Sequence, residues 1–278
     1  MNQLLSRFFA IVSDRGGFGR ALKLALERPT DMVQVVRRLA ERDWRTLAGG
    51  SHANASKLRT ELQKSGLVDA LNARLKEEFS ALAGQRVRGK EAVPGGMRTL
   101  HAELLWVIVR SQKPKKVVET GVCNGLSSAV LLEAIAKNGS GLLVSVDLPE
   151  FTDAQLNRFD VWDGKGGAAI PAGNDVGWLV RPEHRPSWRL ELGPCQELLL
   201  PLLEELMPID LFIHDSEHSY DNQLFEFRAG FEALRPGGVL VATDITWSDA
   251  FDHFWLEIKR TGAERAFVDP SCAIVIKR

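Results

Sequence analysis

The chain has 278 residues, of which 45% are hydrophobic and 26% are charged, a composition typical of globular domains and unlike that of disordered or fibrous proteins. Its apolar runs, such as residues 104–109, are far shorter than the roughly 18 residues of a membrane span, so no transmembrane helix is expected. The N-terminal residues lack the hydrophobic segment of a signal peptide, which predicts a cytoplasmic location.

The charge distribution and the cysteine content exclude further classes of protein. The three cysteines are far apart and form no CxxC pair, which argues against a disulfide framework and a structural zinc site. Counting Lys and Arg against Asp and Glu, residues 1–93 sum to +7 and residues 94–278 to -8. The basic part could meet an acidic partner, an anionic surface or the acidic part of the same chain. Because the acidic part has no basic stripe, a nucleic-acid substrate is not expected.

The N-terminal third is predicted to be helical. Apolar residues recur with a 3.6-residue period through residues 3–82, and Gly49 begins a helix-stop signal. The stretch 84–96 is rich in glycine and charge but has little periodicity, which indicates a boundary. We therefore predict a helical N-terminal region at residues 1–93 and a second domain at residues 94–278. The chain could form a homodimer through the N-terminal helices.

From residue 97 onward, short β-branched runs alternate with amphipathic helices. The expected strands are 116–119, 142–147, 188–192, 210–215 and 239–243; the expected helices are 97–111, 126–137 and 220–234, with a leucine-rich helix before the fourth strand. Residues 265–268 and 273–277 indicate a final antiparallel pair. Alternating strands and helices predict an α/β fold with a Rossmann-like, doubly wound, mostly parallel sheet and helices on both faces.

A glycine-containing loop follows the first strand. It reads Glu119-Thr120-Gly121-Val122-Cys123-Asn124-Gly125, and a helix begins at the next residue. The two glycines permit a tight turn and close approach of a ligand, while the helix N-terminus offers free N–H groups. Asp147 ends the second strand, where a carboxylate can accept hydrogen bonds from both hydroxyls of a ribose. These features indicate an adenosyl ligand; alternatively, the glycines only end the strand and Asp147 caps a helix.

The motifs ETGVCNG, LLVSVD and LRPGGVLVATD resemble those of class I S-adenosylmethionine-dependent methyltransferases over residues 95–278. The resemblance implies that S-adenosylmethionine is the cofactor. It places Asp147 at the ribose of this cofactor and the segment Pro194-Cys195-Gln196 on the adenine side. Cys123 departs from the family, since many members have glycine there. The cofactor-binding residues it implies are Glu119, Thr120, Gly121, Gly125, Asp147, Cys195 and Gln196.

Titratable residues are concentrated after the fourth and fifth strands, at the edge where α/β sheets bind ligands. Asp215 and His218 follow the fourth strand and Asp244 follows the fifth. A hydroxyl acceptor must lose its proton during methyl transfer, and His218 is suited to accept it unless it only caps a helix or packs. Alternatively, Mg²⁺ or another divalent metal ion held by Asp215 and Asp244 would lower the pKa of the acceptor. We expect His214 to pack within its strand and Glu217 to be a solvated or helix-N-terminal carboxylate.

The segment HDSEHSYD resembles a branch of small-molecule and sugar O-methyltransferases, which implies a small-molecule or sugar hydroxyl as acceptor. Metal-dependent relatives have Asp-Asn after the fifth strand, whereas Ile245 follows Asp244 here. Two other functions stay open. One is a metal-dependent hydroxylase or hydrolase with Asp215, His218 and Asp244 as ligands, and the other is a non-catalytic protein that binds an adenosyl ligand as a scaffold.

A long insertion at residues 149–186 separates the second and third strands. Loops of this length inside compact domains are often functional, so we expect it to cover the site. It contains Trp162 and Trp178. Either tryptophan could stack on the acceptor, or both could anchor the insertion to the domain.

Overall fold

A computed structural model describes residues 43–80, 86–87, 90–91, 94–157 and 168–278. Residues 1–42 of the predicted helical region and Trp162 of the insertion lie outside these ranges. Arg86–Val87 and Lys90–Glu91 form a short antiparallel ladder between the N-terminal helices and the main sheet in sequence.

Three helices make up the described N-terminal part: α1 at Trp44–Gly49, α2 at His52–Ser65 and α3 at Leu67–Ser80. Gly50 adopts a left-handed conformation with φ of 73° and ends α1, where the sequence predicted a stop. The Ser51 hydroxyl then accepts a hydrogen bond from the Asn54 amide and caps α2. The predicted helical character is confirmed for these residues.

The remaining helices and strands alternate as predicted. The helices are α4 Thr99–Gln112, α5 Leu126–Asn138, α6 Cys195–Leu206, α7 Tyr220–Ala233 and α8 Ala250–Ile258. The strands are β1 Lys116–Thr120, β2 Leu142–Asp147, β3 Trp188–Leu192, β4 Ile209–His214, β5 Leu234–Ala242, β6 Glu264–Asp269 and β7 Cys272–Ile276. Short 3₁₀ helices occur at Ala154–Leu156, Pro182–Ser187 and Lys259–Thr261.

Two elements differ from those predicted. Helix α8 was not predicted. Strand β5 begins at Leu234, five residues before the predicted start at residue 239. Ile209 pairs with Leu234 and Leu211 pairs with Val239, so the residues between Leu234 and Val239 bulge out while the pairing continues on either side.

The strand order is β3-β2-β1-β4-β5-β7-β6. Strands β1 to β5 pair in parallel, and β7 runs antiparallel to both β5 and β6. The predicted Rossmann-like sheet with an antiparallel C-terminal pair is confirmed. The order reverses between β1 and β4, which places the expected ligand crevice at the carboxyl ends of these strands.

Apolar layers cover both faces of the sheet. Trp106 of α4 and Leu131 of α5 are buried on one face, and Phe212 with the aromatic side chains of α7 and α8 is buried on the other. The N-terminal helices join the first layer through Leu62. Among the described residues, the structure has no helix long and apolar enough to span a membrane.

Candidate active site

The glycine loop, residues 119–125, is packed closely against two other segments. Gly121 has φ of 84°, and a Cβ there would lie 2.1 Å from the backbone oxygen of Asp215. Gly125 has φ of 88°, and its Cβ would lie 2.7 Å from Gly177 Cα in the insertion. Both positions therefore require glycine. The loop is thus held between the Asp215 segment on one side and the insertion on the other.

Asp147 lies directly beside the glycine loop. Its side chain is buried at 6% exposure, and Oδ1 accepts hydrogen bonds from the amides of Val122 at 2.8 Å and Cys123 at 3.4 Å. Oδ2 is buried and has no partner in the described part of the chain. Burial raises the pKa of Asp147 to about 6, although the two amides oppose the shift. A buried carboxylate oxygen without a partner fits a ligand that donates a hydroxyl hydrogen bond.

Glu119 is buried beneath the loop between α5 and β2. Its Oε2 accepts hydrogen bonds from the hydroxyls of Ser128 at 2.6 Å and Ser145 at 2.8 Å. Burial raises the pKa of Glu119 to about 7, and these serines reduce the shift. Its Oε1 is buried and unpartnered within the described residues.

The side chains of other predicted cofactor-binding residues also make contacts within the protein. Thr120 donates its hydroxyl to Glu226 of α7, so its side chain faces away from the loop. Cys195 is buried at the start of α6, and burial raises the pKa of its thiol. Gln196 donates from Nε2 to Asn222 Oδ1 at 2.6 Å. The start of α6 adjoins Asp147, because the Gly193 amide donates to the Asp147 backbone oxygen at 2.9 Å.

The three predicted catalytic side chains come together at the carboxyl ends of β4 and β5. Potential ligand atoms of Asp215, His218 and Asp244 all lie within 4.8 Å of one another. His218 Nε2 is 3.3 Å from Asp244 Oδ2, while Thr243 donates its hydroxyl to Asp215. The sheet order explains this meeting, because β4 and β5 are parallel neighbours.

The electrostatics of this cluster depend on its acidic groups. Burial alone would lower the pKa of His218, but its hydrogen bond to Asp244 and the charge of Asp215 together raise it. Burial raises the pKa of Asp215. Burial also acts to raise the pKa of Asp244, but His218, His101 and Arg98 outweigh it, and the pKa falls below its usual range.

A cavity of about 80 Å³ adjoins the cluster. Asp215 and Asp244 line it together with Ser127 from the first turn of α5. Arg98 and His101 of the α4 region also line it. Asp269 Oδ2 lies 3.0 Å from Arg98 Nη1 and 2.8 Å from His101 Nε2. The cavity thus connects the helix that follows the glycine loop with the acidic ends of β4 and β5. Asp147 lies outside its lining.

His214 and Glu217 have the structural contacts expected of them. His214 is fully buried, and its Nδ1 is 2.6 Å from Glu226 Oε2. Glu226 also accepts hydrogen bonds from Ser216 and Asn222, which links β4 to α7. Glu217 accepts a hydrogen bond from the Ser219 amide at 3.1 Å, just before α7 begins.

The insertion tryptophan Trp178 has the anchoring role that was one of its two predicted alternatives, whereas Trp247 was not identified from the sequence. Trp178 is part of two apolar clusters and donates to Asn124 Oδ1 at 2.6 Å, so it anchors the insertion. Trp247, by contrast, is 71% exposed, and its ring centroid is 5.3 Å from that of His218. Its position three residues after Asp244, at the ligand-binding edge, was the signal that could have identified it.

The fold and this site together define an α/β domain with a glycine loop after β1 and a cluster of acidic and imidazole groups at the carboxyl ends of β4 and β5. Residues 118–245 match a family model described as a methyltransferase domain. These residues therefore form a methyltransferase domain, in agreement with the resemblance stated from the sequence.

Solved structures with related descriptions have low sequence identity to this chain. An O-methyltransferase from Bacillus cereus in complex with SAH is 14% identical, with 76% of this chain and 91% of that chain covered and a TM-score of 0.47. The O-methyltransferase TomG from Streptomyces achromogenes is 14% identical, with 76% and 89% covered and a TM-score of 0.44. A methyltransferase from Geobacter sulfurreducens is 16% identical, with 76% and 87% covered and a TM-score of 0.47. A comparison with curated proteins gives no match.

Proposed function

We propose that the chain transfers a methyl group from S-adenosylmethionine to an oxygen atom of a small molecule or sugar. The methyltransferase match extends from β1 to the residue Ile245 just beyond Asp244, so it includes both the glycine loop and the acidic cluster. The observation that carries the choice of an oxygen acceptor is the close approach of Asp215, His218 and Asp244, since a hydroxyl needs a proton acceptor to become a nucleophile.

In this proposal the donor lies across the carboxyl ends of β1 and β2. The unpartnered Oδ2 of Asp147 accepts a hydrogen bond from a ribose hydroxyl, and the start of α6 at Cys195 and Gln196 lies toward the adenine. The backbone of the glycine loop surrounds the methionine part. Glu119, Gly121 and Gly125 support that backbone, and Thr120 contributes through its main chain because its hydroxyl is bound to Glu226.

The chemistry is an in-line displacement at the methyl carbon. An oxygen lone pair of the acceptor forms the new C–O bond while the S–C bond breaks, and its electron pair stays on sulfur as the neutral thioether. The hydroxyl proton passes to His218. With Nε2–H donating to Asp244, the lone pair of His218 is on Nδ1, and the acidic neighbours favour the protonated ring that results.

A divalent cation is a second way to activate the acceptor. Two carboxylates and one imidazole within 4.8 Å fit the ligand preferences of such an ion. Asp215 and Asp244 would hold it, and when bound it would lower the pKa of the acceptor hydroxyl. Activity measured after exhaustive treatment with EDTA, and again after Mg²⁺ is added back, distinguishes the two routes. Loss and recovery of activity support the cation, and unchanged activity supports His218 alone.

The acceptor would meet a flat apolar surface beside His218. Trp247 is exposed and close to the imidazole, so it can stack on an aromatic ring or on the apolar face of a sugar. This favours a small cyclic acceptor.

The proposal is tested by calorimetry with S-adenosylhomocysteine followed by a screen of hydroxyl acceptors with methyl-labelled donor. Donor-product binding together with label transfer to an oxygen supports it. Binding without turnover on any acceptor supports a scaffold role, and a bound metal ion without adenosyl affinity supports the hydroxylase or hydrolase alternative. A homodimer, the division into residues 1–93 and 94–278, the absence of nucleic-acid substrates and a cytoplasmic location stay predictions.

A further inference from the structure

Asn124, in the glycine loop, joins several segments of the chain. The residue is buried at 2% exposure. Its Nδ2 donates to the backbone oxygens of Pro94 at 2.7 Å and Ala169 at 3.1 Å, and its Oδ1 accepts from Trp178 Nε1 at 2.6 Å. Nδ2 also lies 3.3 Å from Cys123 Sγ inside the loop, whereas the other three partners lie outside it, so the amide group is fully used.

The backbone of the loop is tied to the same insertion. The Gly177 amide donates to the Cys123 oxygen at 2.9 Å, and the Leu179 amide donates to the Asn124 oxygen at 3.2 Å. Cys123 has φ of 50°, an uncommon conformation for a residue with a side chain. Such a conformation persists when its surroundings hold it in place, and here the contacts with the insertion do so.

The N-terminal helices reach the loop through the same contacts. Arg74 of α3 donates from Nη1 to the Leu179 oxygen at 3.4 Å, and its guanidinium lies 5.5 Å from the centre of the Trp178 ring. A continuous path of contacts therefore leads from α3 through Trp178 to Asn124. The two residues before Asn124, Val122 and Cys123, donate their amides to Asp147.

We propose that Asn124 is a positioning residue for the methyl donor, because it ties the glycine loop to the insertion and, through Trp178 and Arg74, to the N-terminal helices. The inference rests on the proposed function. Its consequence is that donor affinity depends on a hydrogen bond from Trp178, a side chain that the proposal does not place in contact with the donor.

Trp178→Phe tests this most directly, because phenylalanine keeps a ring in the apolar clusters but removes the Nε1–H donor. Trp106→Phe is the matched control: Trp106 is also buried, and its Nε1 has no hydrogen-bond partner in the described part of the chain. We expect Trp178→Phe to weaken the binding of S-adenosylhomocysteine by about tenfold, the effect of losing one good hydrogen bond. The control should leave donor affinity within twofold of the wild type.

Steady-state kinetics separate positioning from a general structural role. Trp178→Phe should raise KM for the donor while kcat at saturating donor and KM for the acceptor stay close to wild-type values. Equal effects of the two tryptophan substitutions on donor affinity would overturn the proposal, even if both lower the thermal midpoint. Wild-type protein that does not bind S-adenosylhomocysteine at all would instead overturn the proposed function.

A second variant covers the case in which Trp178→Phe does not fold. Arg74 is exposed, so Arg74→Gln should fold normally and still weaken donor binding, by about threefold, because it loosens the segment that carries Trp178. Lys76→Gln, at an exposed position on the same helix, is its control. Identical donor affinity in these two variants would show that the N-terminal helices do not position the loop.

Discussion

The carboxylate of Asp147 accepts a hydrogen bond from the Val122 amide at 2.8 Å, so the last residue of β2 stabilises the loop that follows β1. The same carboxylate keeps its second oxygen buried and unpartnered in the described part of the chain. One side chain therefore shapes the loop and offers a ligand contact. Both functions depend on the parallel pairing of β1 with β2, which brings their carboxyl ends together.

Asp147→Asn separates the two functions. The amide oxygen can still accept from Val122, but an NH₂ group replaces the oxygen expected to receive a ribose hydroxyl. We expect S-adenosylhomocysteine to bind about 10- to 100-fold more weakly, since a hydrogen bond to a charged group contributes roughly 1.5–3 kcal/mol. Isothermal titration calorimetry measures the change. Asp69→Asn, at an exposed position on α3, should bind like the wild type, and unchanged affinity of Asp147→Asn would refute the ribose assignment.

Asp147→Ala removes both contacts. It should abolish measurable donor binding, because the amides of Val122 and Cys123 lose the acceptor that holds them in place. The comparison of Asn with Ala at this position therefore measures how much the loop contact adds to the ligand contact.

The raised pKa of Glu119 predicts how the stability of the protein depends on pH. Its folded-state pKa of about 7 exceeds its ordinary value of 4.5, so the folded state binds the proton more tightly than the unfolded state. The free energy of unfolding should therefore fall as the pH rises from about 4.5 to about 7. Glu119→Gln removes this titration and keeps a carbonyl oxygen for Ser128 and Ser145.

Denaturant titrations between pH 4.5 and 8 test this prediction. Near pH 8, Glu119→Gln should be more stable than the wild type by on the order of 2–3 kcal/mol, and the difference should shrink toward acid pH. Glu78→Gln, at an exposed position on α3, should parallel the wild type throughout. A pH-independent difference between Glu119→Gln and the wild type would show that Glu119 does not titrate in this range.

His218→Ala should reduce kcat by about 10²- to 10⁴-fold, the usual contribution of a general base. Affinity for S-adenosylhomocysteine should change little, because His218 lies at the ends of β4 and β5 and not at the Asp147 side of the site. Asp244→Asn should have a smaller effect on kcat, since it removes the group that orients the ring and leaves the imidazole itself. A His218→Ala protein that unfolds would favour a packing role for the imidazole.

Trp247 should contribute to acceptor binding and little to stability. Its side chain is 71% exposed, so Trp247→Ala should leave the thermal midpoint nearly unchanged. Losing one stacking contact should raise KM for the acceptor by about three- to tenfold while KM for the donor stays constant. Leu200→Ala, at another exposed apolar position, is the control. An unchanged acceptor KM would exclude Trp247 from the acceptor site.

Local sequence patterns were sufficient to predict the fold class, the strand that carries Glu119 and the strand that ends at Asp147. These features are local, because a β-branched run followed by a glycine turn and a 3.6-residue apolar period restricts the backbone within a few residues. The meeting of Asp215 with Asp244 could also be predicted, since carboxyl ends of parallel strands share one edge of the sheet.

Which side chains of the candidate site point outward and which hold it together could be seen only in the folded chain. Thr120 follows Glu119 directly, yet its hydroxyl binds Glu226 because successive strand residues point to opposite faces. The contact between Asn124 and Trp178 spans 54 residues, and that between Arg74 and Leu179 spans 105. No local pattern encodes such contacts, because they depend on how irregular segments pack once the sheet has formed.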